Sequence, residues 1–152
     1  MTLRGFATLN IWADDVEAAA AWYAEVAGVE AYFRRSGPDG RLAYAEFRLG
    51  DLQAELGIID RRFGPPGATA GPGGAIMHWH VDDLEGTLAR LLELGATEYQ
   101  PITPRGEGFV TAAVVDPFGN VLGIMRNPHY LEVLHRSAAA LTPDAPAGAG
   151  DS

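Results

Sequence analysis

Asp14-Asp15-Val16-Glu17 returns as Asp82-Asp83-Leu84-Glu85, 68 positions further along a chain of 152 residues. Self-similarity at a long fixed period marks a duplicated structural unit, so the flanks of the two copies decide the fold. Each copy follows a β-like run, Ala7 to Trp12 and then Ala75 to Val81, and each precedes a helical pattern. Each also carries a helix start. Asp14 and Asp82 can cap, and Glu17 and Glu85, three residues on, complete the capping box.

The second helix is the clearer: Leu84, Leu88, Leu91 and Leu92 share a face at the 3.6-residue period, and Gly95 ends it. The first carries Val16, Tyr23 and Val26 on the matching face, draws propensity from Ala18 to Ala21, and stops at Gly28. Three strand candidates follow each helix. In the first copy they are Ala31 to Arg35, Leu42 to Leu49 and Leu52 to Ile59, punctuated by Ser36 to Gly40 and by Gly50-Asp51. In the second they are Glu98 to Ile102, Gly108 to Val115 and Val121 to Arg126, with breaks at Pro104 to Glu107 and Asp116 to Asn120. The expected fold is α+β, two βαβββ modules in tandem. Residues 1–60 form the first module, 61–74 a Gly/Pro-rich linker and 75–127 the second module. Residues 128–136 are expected as a short helix, and 137–152 as a disordered tail with little to bury.

Composition narrows the function classes. No cysteine is present, which excludes disulfides, thiol nucleophiles and thiolate metal sites. Neither a signal-peptide pattern nor an apolar run of about 20 residues occurs, so a cytoplasmic protein without a membrane partner is expected. The net charge of −9 argues against nucleic acid. It either favours a cationic ligand or only supports solubility. No phosphate-binding loop, dinucleotide fingerprint or nucleophile elbow appears.

The organisation resembles the vicinal oxygen chelate superfamily, which includes glyoxalase I, bleomycin resistance proteins, fosfomycin resistance enzymes and extradiol dioxygenases. The resemblance rests on Asp14-Asp15-Val16 with Trp22-Tyr23, Val81-Asp82-Asp83-Leu84, Leu92 to Ala96, and Asp116-Pro117-Phe118-Gly119-Asn120. It implies sheets curled around a shared cup, a homodimer, and metal ligands on the first and last strands of each module. Matched to the glyoxalase I pattern, and carried across by the offset of 68, those corners fall at Thr8, Glu55, Ile76 and Gly123. Only Glu55 is an ordinary ligand for a divalent ion, so no metal is expected at the usual corners and no cofactor is expected.

His78 and His80 complicate that reading. On a strand they share a face with Ile76, about 7 Å apart at Cα, and Glu55 could complete a two-His, one-carboxylate set. They are read either as hydrogen-bonded lining residues, as a metal-free acid/base pair, or as a displaced divalent-metal site. The same parity places Thr8, Asn10 and Trp12 in the cup, with Trp12 the repeat partner of His80 and Asn10 of His78. Gln53 joins Glu55 on one last strand, and Val121, Gly123 and Met125 face in from the other, where Gly123 leaves room for a ligand. Tyr44, Glu46 and Arg48 alternate on an inner strand whose orientation stays open, and Arg105 to Phe109 reads as a flexible hairpin tip, either a plain tip or one able to close over a ligand. His129 and His135 are expected in solvent.

Three functions fit these residues. The first is a metal-free cup sequestering a small aromatic or cationic ligand, as bleomycin resistance proteins do. The second is a lyase, isomerase or dioxygenase-like enzyme using His78, His80 and Glu55. The third is a scaffold whose cup is filled by its own side chains.

Overall fold

The computed structural model describes residues 1–65 and 71–141. The part of the linker at 66–70 and the tail from 142 onward lie outside the described residues. The first module contains β1 (Thr8–Ala13), α1 (Val16–Ala27), β2 (Phe33–Ser36), β3 (Leu42–Leu49) and β4 (Ala54–Asp60). A single 3₁₀ turn at Arg61–Phe63 follows. The second contains β5 (His78–His80), α2 (Leu84–Glu93), β6 (Thr97–Gly106), β7 (Phe109–Val115) and β8 (Val121–Arg126), and α3 (Pro128–Leu141) follows it.

The two sheets repeat one topology, β1-β4-β3-β2 and β5-β8-β7-β6, with the first and last strands of each module parallel. Because β1 and β2 sit on opposite edges, α1 crosses the sheet between them and covers one face; α2 does the same in its module. Val16, Ala19, Ala20 and Tyr23 are the buried stripe of α1, at helical spacing, packed on Ile11, Phe47 and Ile58. Leu84, Leu88 and Leu91 play that part for α2, against Ala112, Val114, Leu122 and Ile124. Leu92 falls outside the stripe at 40% exposure, and Val26 leans toward the second core rather than the first.

Several boundaries differ from expectation, each for a physical reason. The caps are Asp15 and Asp83, whose carboxylates accept from the Ala18 and Gly86 amides; Asp14 and Asp82 stand one residue too early for that geometry. Gly28 closes α1 in the left-handed conformation at φ 69°. The β6 strand runs through Pro104 and Arg105 because the β6–β7 turn is only Glu107-Gly108, both at positive φ, as a two-residue hairpin requires. The expected flexible tip is therefore a tight turn. The C-terminal helix is longer than residues 128–136, and takes residues 137–141 of the expected tail into regular structure.

The modules are joined through the Asp116-Pro117-Phe118-Gly119-Asn120 turn. Buried Asp116 accepts from the Phe118 and Asn120 amides, and on its other side from the Tyr23 hydroxyl at 2.6 Å. Burial first, and the Asp116 carboxylate second, hold the Tyr23 hydroxyl well above its usual pKa, so it stays a donor. The Asn120 carboxamide then meets the free edge of β1 as a peptide would, accepting from Trp12 N and donating to Trp12 O. Trp22 packs against both cores and donates to Leu94 O at the end of α2.

Candidate functional site

Parity survives intact. Leu9, Ile11 and Ala13 of β1, Trp79 of β5 and Val81 just after it face the helices. Thr8, Asn10 and Trp12 therefore face the other way, as do His78 and His80. Ala45 and Phe47 point into the core, which places Tyr44, Glu46 and Arg48 on the cup face with Glu55.

The pairing partners are another matter. Thr8 stands opposite Glu55 as expected, but Gly123 stands opposite His78, not Ile76. The loop from strand to helix cap is two residues shorter in the second module: Thr8 to Asp15 against His78 to Asp83. The helix and last strand keep the offset of 68, and the first strand slips to 70. His78 is thus the counterpart of Thr8, and His80 of Asn10; the pairings of Trp12 with His80 and Asn10 with His78 do not hold. Of the four corners, Glu55 and His78 carry ordinary metal-ligand side chains, while Thr8 and Gly123 do not.

Gly123 leaves no room for a ligand. A Cβ there would lie 2.7 Å from His78 Cδ2 and 2.8 Å from Met77 O, so the glycine exists to admit the His78 ring. Gly57 plays a matching part under the Asn10 carboxamide, whose Oδ1 would clash with an added Cβ. Gln53 is not on β4 at all. It sits in the β3–β4 turn at φ 53°, bonding Gly50 O with its carboxamide. Among the described residues no three His, Asp or Glu side chains converge closely enough to hold a metal ion. The donors as arranged do not fit the divalent ion of glyoxalase-type chemistry.

The cup candidates divide between two cavities. Thr8, Glu55, His78, His80 and Tyr130 line an apolar one of about 270 Å³. Asn10 and Trp12 line another of about 230 Å³, beside Met77, Asn120 and Val121. Met125 flanks His80 in β8, its sulfur 3.6 Å from the Asn127 carboxamide. The Nε2 atoms of His78 and His80 are both buried without a hydrogen-bond partner. His80 accepts the Asn127 amide on Nδ1 and stacks on Tyr130 at 5.0 Å, and Tyr130 donates to Asp51. His129 and His135 are solvated, as expected.

Sequence patterning did not single out one cluster. Tyr32 and Tyr44 both donate to the Glu46 carboxylate, and Arg48 lies 4.2 Å over the Tyr32 ring and 3.8 Å from Glu55. The two hydroxyls lower the Glu46 pKa; burial first, then Glu46, raises that of Tyr44. The alternation of Tyr44, Glu46 and Arg48 was visible in sequence, but Tyr32 lies off the strand and could not be grouped with them.

The geometry is that of paired βαβββ modules. The chain belongs to the Glyoxalase/Bleomycin resistance protein/Dioxygenase superfamily, whose model matches residues 5–124. Solved structures show the same fold at low identity. A glyoxalase-related enzyme from Fulvimarina pelagi is 21% identical, with a TM-score of 0.65 over 83% of this chain and 90% of that one. A bleomycin resistance determinant encoded on the transposon Tn5 is 24% identical, with a TM-score of 0.56 over 82% and 98%. TnmS3, an antibiotic binding protein from Streptomyces sp. CB03234, is 22% identical, with a TM-score of 0.62 over 83% and 98%. No curated protein matches the chain. Among the described residues no helix is long and apolar enough to cross a membrane.

Proposed function

We propose that this protein binds a small aromatic or cationic molecule on its cup face and does so without a metal. The observation that carries this reading is the apolar cavity of about 270 Å³ that gathers Thr8, Glu55, His78 and His80. Its size suits a small ligand, and its few polar groups suit orientation rather than bulk affinity. Glu55 supplies a carboxylate, and Glu46, Tyr32 and Tyr44 extend an acidic, aromatic surface along the same face. Proteins of the same fold that include a bleomycin resistance determinant and an antibiotic binding protein support small-molecule binding.

The test is tryptophan fluorescence and calorimetry on protein made without a His-tag and stripped with EDTA, using bleomycin and simple aromatic amines as probes. Binding that survives EDTA and weakens about tenfold in Glu55→Gln, the worth of one charge-assisted bond, is the expected result. Stoichiometric zinc, manganese or iron that is lost in His78→Ala would overturn it in favour of the enzyme reading. Binding by none of the probes would overturn it in favour of a scaffold.

A further inference from the structure

The cup is not the largest apolar hollow in the molecule. The modules are tied at one end by Tyr23, Asp116, Trp12 and Asn120. Between them, on the helix side of the sheets, lies a cavity of about 360 Å³. Val26, Leu56, Trp79, Leu91 and Leu122 form its walls, drawn from α1, β4, β5, α2 and β8. Leu56, Leu91 and Leu122 are core residues of the two modules, so the hollow lies between two hydrophobic cores, not in the concave face. Protein interiors pack nearly without voids, and a partly open apolar hollow of this size suits an apolar guest. Its volume falls at the small end of ligand sites, too small for a helix or peptide.

Polar groups at this cavity define the head of the guest. Arg48 and Gln53 line it from β3 and the β3–β4 turn. Arg48 lies over the Tyr32 ring, and its nearest counter-charge is Glu55 at 3.8 Å with both side chains well exposed, so no close ion pair holds the guanidinium. His80 lines the same cavity, with only 9% of its side chain exposed. Its Nδ1 accepts the Asn127 amide, which places the ring hydrogen on Nε2, and Tyr130 fixes the ring by stacking. That Nε2 has no hydrogen-bond partner: Asp82 Oδ1 approaches to 3.4 Å but out of line. A buried donor in this state calls for an acceptor. A guanidinium without a close ion pair and an imidazole N–H without an acceptor, both on residues that line the cavity, ask for the same group.

We propose that the inter-module cavity is a second ligand site, adjoining the cup cavity at Trp79 and His80, taking a small aromatic carboxylic acid. The ring lies against Trp79, Leu56 and Leu122, and the carboxylate accepts from Arg48 and from His80 Nε2–H. The site shares Trp79 and His80 with the cup cavity, but its apolar walls at Val26, Leu56, Leu91 and Leu122 lie on the helix side of the sheets, and Thr8, Glu55 and His78 take no part in it.

The test is calorimetry and ligand-observed NMR with 2-naphthoate. Val26→Trp fills the cavity from a half-buried position, and Arg48→Met removes the charge; each is expected to weaken naphthoate about tenfold or more. His78→Ala, which alters the cup cavity only, is expected to leave naphthoate binding unchanged while removing a cup wall. Three results would overturn the proposal: no naphthoate binding by the wild-type chain, unchanged binding by a Val26→Trp variant with wild-type unfolding behaviour, or loss of binding in His78→Ala. Equal binding of the uncharged 2-naphthamide would overturn the carboxylate assignment. Failure of cup probes with naphthoate still bound would strike only the cup reading.

Discussion

Replacing Gly123 with alanine places a methyl group 2.7 Å from His78 Cδ2, 2.9 Å from Cγ and 2.8 Å from Met77 O. The last contact is backbone, and Met77 O also accepts the Gly123 amide at 3.0 Å, so the short β5 strand cannot step aside without losing a ladder bond. Overpacking of this kind costs about 1–3 kcal/mol. Restricting the unfolded chain returns about 0.4–1 kcal/mol, which leaves a net loss of about 1–2 kcal/mol. For a chain of this length that corresponds to a fall in Tm of about 3–6 °C. The assay is thermal and urea unfolding of Gly123→Ala, His78→Ala and the double variant. Removing the imidazole relieves part of the clash, so the double variant should be more stable than the sum of the singles by more than about 0.5 kcal/mol. Gly71, with nothing within 4 Å of an added Cβ, is the control and should accept alanine at no cost. A Gly123→Ala protein as stable as wild type, or a strictly additive double variant, would refute the register that sets His78 against Gly123.

Three further outcomes follow from named contacts. Tyr23→Phe strands the buried Asp116 carboxylate without its inter-module donor, and should cost about 1.5–3 kcal/mol by urea unfolding. Asp15→Ala and Asp83→Ala should each lose about 1 kcal/mol as cap mutations, whereas Asp82→Ala, almost wholly exposed, should change stability by less than about 0.5 kcal/mol. Bonds from Arg62 hold the buried Asp60 carboxyl below the usual aspartate range. A folded pKa below the unfolded one stabilises above the unfolded value, and this contribution disappears as pH falls through the folded value. Arg62→Met should therefore be less stable near neutrality and flatten the acid limb of the stability curve. Parallel acid limbs for the two proteins would contradict this.

Sequence alone determined the duplication, the order of elements and the face on which nearly every side chain lies. These are properties of local chemistry: two acidic caps, a 3.6-residue stripe on each helix, alternation on β1 and β3, and turns written in glycine and proline. Only the tertiary structure decided which residue of β5 stands beside Gly123. A parallel pair has no hairpin to set its register, so the register depends on the length of the strand-to-helix connection and on packing between modules. The slip of β5 is two residues, an even number. It left His78 and His80 on the face their spacing predicts and changed only their partners. For the same reason the sequence could place Thr8, Glu55, Trp12 and His78 on one concave surface, but not divide them between two cavities. Nor could it show the hollow behind that surface, which no single element forms and which lies between the two cores.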